Sequence, residues 1–132
     1  MKAFLIHDEV TATQAAPTLA ADGFEIPSKW RKVKRTHLLY VINGTSGTWT
    51  AAFEVWAHQA KVATPAAPQT PIAGGWFRLF ATGTIAVTSE ERAAVALDWM
   101  QDFDRLAVAI PTLSGTGAKA SALIGLPGDA AH

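Results

Sequence analysis

No cysteine occurs among the 132 residues. Disulfide frameworks, thiolate metal sites and cysteine nucleophiles are therefore excluded, while the compartment stays open. Charge is scarce too: 17% of residues are charged, and eleven acids balance eleven bases. Such a chain has no strong overall field toward nucleic acid or an anionic membrane, so electrostatic partner preference must come from a local patch. No stretch approaches the roughly 18 uninterrupted apolar residues of a membrane span. The opening Met1-Lys2-Ala3-Phe4-Leu5-Ile6-His7-Asp8-Glu9 has four apolar residues before charge, fewer than a secretory signal needs. The chain is expected to be made in the cytosol without a signal peptide. Catalytic signatures are missing as well: there is no Gly-x-Ser-x-Gly elbow, P-loop or His-Glu-x-x-His helix. Gly115-Thr116-Gly117 lacks the rest of a dinucleotide fingerprint and reads as a turn.

What is present is apolar: 49% of the residues are hydrophobic, enough for one domain over 1–132 with a real core. Thr36 to Ile42 is a β-branched and aromatic run stopped by Asn43-Gly44, which favours a buried strand. From Thr48 to His58, Trp49, Ala51, Phe53, Val55 and Ala57 share one face of a period-two element, while Trp56 falls on the mixed face. Residues 2–6 suggest a short strand, Trp76 to Ala81 another that 84–87 could continue, and Phe103 to Ile110 a third, ended by Pro111. A turn at 113–117 then leads to a return strand over 118–126. Thr88 and Glu91 have capping-box spacing, and Ala93, Ala96, Leu97 and Met100 share a helical face, predicting a short helix near 89–100. About 1–22 reads as an extended N-terminal arm, and 62–75, with three prolines and two terminal glycines, as a long loop. Two hairpins, turning at 43–48 and 114–117 and joined by this loop, predict a mainly β fold, an antiparallel β-sandwich.

Several groups invite a functional reading. His37 and His58 could be neighbours across a hairpin, but nothing in the spacing of His7, His37, His58 and His132 demands a zinc site. Asp98, Asp102 and Asp104 lack the glycine and terminal glutamate of an EF-hand loop. They read as a polar junction, and an enzyme would need His58, Asp102 and Asp104 to meet in a cleft. Asn43-Gly44-Thr45 matches a glycosylation pattern but reads as a turn. No catalytic, cofactor-binding or metal residue is assigned.

In the basic run Lys29, Trp30, Arg31, Lys32, Val33, Lys34, Arg35, five of seven residues are cationic. It could hold phosphates with a base stacked on Trp30, dock on an acidic protein face, or guard an edge strand with charge. Overall neutrality favours the last two over nucleic acid. Five tryptophans suit a core, and one or two on an outer face would suit an interface or a sugar platform. Trp56 and Trp76 are the candidates beside the basic run.

The segments from Thr36 to Trp56 and from Phe103 to Leu126 combine an apolar strand, the turn Gly44-Thr45-Ser46-Gly47-Thr48, a Trp-bearing strand, and Leu113-Ser114-Gly115-Thr116 before a final alternating strand. This pattern resembles small β-sandwich virion proteins of tailed bacteriophages, of head-decoration, collar or tail type. The resemblance covers about two-thirds of the chain and carries over no binding residues. It implies a non-enzymatic subunit of the virion that associates with itself and with other virion proteins. A carbohydrate-binding module, with Trp56 and either Trp30 or Trp76 as platforms, is the alternative.

Overall fold

A computed structural model describes residues 2–19, 22–27, 35–58, 75–98 and 103–126. Over these the chain forms β1 (Lys2–Val10), β2 (Phe24–Glu25), β3 (Arg35–Asn43), β4 (Ser46–His58), β5 (Trp76–Ala81), β6 (Ile85–Val87), β7 (Glu91–Asp98), β8 (Arg105–Thr116) and β9 (Lys119–Leu126). The strands make two antiparallel sheets. One has four strands in the order β1-β9-β3-β7; the other has five, with β2-β8-β4-β5 side by side and β6 also paired to β4. The mainly β, sandwich-like fold is the one expected.

Period-two burial builds the core. Leu38, Tyr40 and Ile42 of β3 point inward, as do Ala120, Ala122, Ile124 and Leu126 of β9. They meet Trp49, Ala51, Phe53, Val55 and Ala57 of β4, the face expected to be apolar. The rings of Tyr40 and Phe53 stack at 4.7 Å, one from each sheet, an arrangement worth about 1 kcal/mol beyond the area it buries.

The connections differ from expectation. β3 and β4 lie in different sheets, and so do β8 and β9, so the two small-residue turns are arches between layers rather than hairpins. Alternation alone does not separate the two: a hairpin lays two apolar faces side by side, an arch turns them toward each other. Ladder partners decide it. β3 pairs with β7 and β9, while β4 pairs with β8 and with β5 and β6.

The helix expected near 89–100 is absent over its described part, which is β7. Glu91, Ala93, Val95 and Leu97 face the core side, while Arg92, Ala94, Ala96 and Asp98 are exposed. Unbroken pairing to β3, from Arg35↔Asp98 to Ile42↔Glu91, and the inward Val95 and Leu97 outweigh the helix preference of three alanines. Nor does Pro111 end its strand. β8 runs on to Thr116 because Pro111 sits in a register shift, where Ala52 pairs with Thr112 but Glu54 with Ala109; a bulge is where a ladder tolerates proline.

The segment read as an arm is extended but docked on its own chain. β1 pairs with β9, and Gln14 exchanges two 2.9 Å backbone hydrogen bonds with Ile110. The His7 Nε2 donates to the Val108 carbonyl at 2.7 Å, and Phe24 pairs with Leu106. These contacts cover the free side of β8. The loop expected at 62–75 lies, apart from Gly75, outside the described residues.

Candidate interaction surface

The sandwich presents two outer faces, and the chain treats them oppositely. On the five-stranded sheet, Trp56 and Trp76 cluster with Ala107 and Ala109 beneath Ala16 of the 11–19 segment. The two alanines leave room for the indoles. Trp76 is fully buried and donates through Nε1 to the Leu19 carbonyl at 2.8 Å. Trp56 donates to Glu54 at 3.2 Å, and Glu54 accepts from Arg78 at 3.2 Å. Asp22 fastens the crossing segment: its carboxylate accepts from the Thr18 and Leu19 amides, each at 2.9 Å. The Leu19 bond, then the Thr18 bond, holds this carboxyl below the usual aspartate range.

The four-stranded sheet carries no such cover among the described residues. Register places Leu5 beside Leu123, Leu123 beside Leu39 and Leu39 beside Ala94, an apolar row across all four strands. A second row runs Ala3, Gly125, His37 and Ala96, and Val41 extends the patch. Leu5 is 56% exposed, Ala94 and Ala96 are exposed, and Leu39, Val41 and Leu123 are half-buried. Leu39, Val41, Ala94, Leu123 and the stem of Arg92 border a groove of about 410 Å³. Exposed and half-buried apolar side chains thus form one contiguous patch on this face.

Two ion pairs frame the face. The Arg35 guanidinium donates to Asp98 at 2.8 Å, and this bond holds the Asp98 carboxyl below its usual range and Arg35 above its own. At the other end of β7, Arg92 donates to Glu90 at 2.8 Å and, first among the causes, lowers the Glu90 carboxyl, with Asn43 second.

The sequence candidates distribute as follows. Lys29, Trp30, Arg31, Lys32 and Lys34 lie outside the described residues; Arg35 opens β3. Trp56, read as the exposed aromatic, is 9% exposed and Trp76 0%, because the 11–19 segment covers the face that alternation left open. His37 and His58 are not paired across a hairpin, since they stand in different sheets. His58 and Asp104 do meet: the His58 Nδ1 donates to the Asp104 carboxylate at 2.8 Å. The imidazole is 6% exposed and 5.2 Å from the Trp76 ring, a structural tie inside the covered cluster. Asp102 lies outside the described residues. No group of three side chains able to hold a metal occurs among the described residues, and none of their helices is long and apolar enough to cross a membrane.

The open face escaped the sequence reading, although its signal was present. Leu38-Leu39-Tyr40-Val41-Ile42 is apolar on both faces. In a two-layer sandwich only one face can join the core, so the other has to be exposed or covered by something else. Comparison with protein-family models, curated proteins and solved structures finds no match to this chain.

Proposed function

We propose that this chain is a non-enzymatic structural subunit of a bacteriophage virion, a capsid decoration or a collar or tail component. It acts by self-association and by docking on other virion proteins. The observation that carries this reading is the row Leu5, Leu123, Leu39, Ala94 on the outer face of the four-stranded sheet. A two-layer domain that covers one face with its own N-terminal segment and leaves the other apolar has a surface suited to a protein partner. The resemblance of its strand-and-turn pattern to phage virion sandwiches supplies the kind of partner. The carbohydrate-binding alternative loses two of its platforms, because Trp56 and Trp76 are buried and offer no flat exposed ring to a sugar, while Trp30 lies outside the described residues.

The test is quantitative mass spectrometry of purified particles of the phage that encodes the chain. The reading expects the chain in particles at a fixed copy number, and Leu5→Lys copies depleted from them. Absence of the unmodified chain from washed particles overturns it.

A further inference from the structure

We infer that β7 is the self-association edge, and that two copies join antiparallel along it into a continuous eight-stranded sheet. This inference rests on the reading of the chain as an assembling subunit and names the surface through which copies meet.

The motive is a contrast between sheet edges. An open edge strand is a template for unwanted pairing, and proteins blunt it by shortening, bulging, proline or lysine. Three edges here are blunted. β1 carries two register shifts and a positive φ of 46° at Glu9. β2 has only two residues. The β5–β6 edge is interrupted between Ala81 and Ile85. β7 has none of these devices along its middle, and its charged side chains, Glu91, Arg92 and Asp98, stand only near its ends. It runs eight residues without a register shift, contains no lysine, proline or glycine, and is apolar from Ala93 to Leu97. It pairs with β3 alone among the described residues, so alternate backbone groups along its other side have no ladder partner among those residues.

Charge then selects the partner and the register. The exposed side chains of β7 read Arg92, Ala94, Ala96, Asp98, a pattern complementary to its own reversal. A two-fold axis at Val95 sets Arg92 opposite the second copy's Asp98 at both ends, with Ala94 opposite Ala96 between them. Moving the axis to Ala94 instead sets Glu90 opposite Asp98, like against like. Each end of the Val95 register gathers four alternating charges: Arg35 and Asp98 from one copy, Arg92 and Glu90 from the other. All four are at least 44% exposed in the single chain, so they remain free to rearrange. An antiparallel two-fold contact is closed and stops at two copies. It also carries the apolar outer face across the junction, doubling the surface available for docking.

The test is the solution mass of the full chain by size-exclusion chromatography with light scattering, with circular dichroism to confirm each fold. The unmodified chain is expected at twice its 14.0 kDa. Arg92→Asp makes both ends acidic and Asp98→Arg makes both ends basic, so each variant alone is expected at 14.0 kDa. An equimolar mixture of the two restores the double mass, because each introduced charge then faces its opposite. A monomeric unmodified chain overturns the β7 contact. So does a multimer that both variants leave intact, but that outcome leaves the virion-subunit reading standing, since copies then meet elsewhere. Absence from particles in the preceding experiment, with the double mass observed, overturns the virion reading and keeps the edge.

Discussion

Gly44 lies directly against the indole of Trp49: a β-carbon at position 44 would fall 2.6 Å from Cδ1 and closer still to the neighbouring ring atoms. The Trp49 Nε1 donates to the Ser46 carbonyl at 2.9 Å within the same arch, so the ring is held and has little room to move away. The second arch closes on it as well, with Gly115 at a positive φ of 119° beside the Trp49 backbone. One indole thus serves both connections between the sheets. Gly44→Ala is expected to destabilise the fold by about 2 kcal/mol, the usual scale of overpacking. Urea unfolding checks this, with a lower midpoint at unchanged slope as the expected result.

Covering of the five-stranded sheet depends on Trp76. Its indole is fully buried and anchors Leu19 through one hydrogen bond. Trp76→Ala is expected to cost about 3–5 kcal/mol, as for large aromatic truncations in cores. Hydrogen exchange should also accelerate at the Gln14 and Ile110 amides, which bond across the junction that the ring supports. Trp76→Ala with unchanged protection at both amides would show that the crossing segment is held without it.

The same segment should respond to acid. Asp22 accepts from the Leu19 and Thr18 amides in the folded chain, which lowers its carboxyl relative to the unfolded chain. A lowered carboxyl contributes stability that is fully present above the unfolded-state value and lost as pH falls through the lower folded-state value. The segment should therefore hold at neutral pH and loosen only below the ordinary aspartate range. The Trp76 indole N–H resonance, which reports the bond to Leu19, is expected to shift in that acid window. Asp22→Asn should remove this response.

Legibility of the fold followed the physics of each segment. Strands β3, β4, β5 and β9 stood out because short apolar runs, alternating or rich in β-branched or aromatic residues, are bounded there by turn residues. β7 did not, because Ala93, Ala94 and Ala96 fit a helix locally and only the ladder to β3 makes them a strand. The arches were hidden for a related reason: alternation specifies which side chains point inward, not which sheet a strand joins. Trp56 was misplaced because a sheet face that looks exposed by alternation can be covered by a segment distant in sequence, here Ala16. The apolar face needed a count that alternation does not make, of how many layers the chain can supply for strands apolar on both sides.

Adjacent leucines in β3 separate the core from that face. Leu38 is 0% exposed, while Leu39 points outward between Ala94 and Leu123. Leu38→Ala removes core contacts and is expected to cost about 2–5 kcal/mol. Leu39→Thr places a β-branched side chain, favoured in strands, at a half-exposed position and should cost less than about 1 kcal/mol. Binding of a fluorescent apolar dye to the folded protein should show the opposite order. Leu39→Thr weakens it by breaking the row that joins Leu5 to Ala94, whereas the folded fraction of Leu38→Ala keeps the row intact. Equal stability losses at the two positions would mean that the outer face is packed as a core already, leaving no surface for a partner to cover.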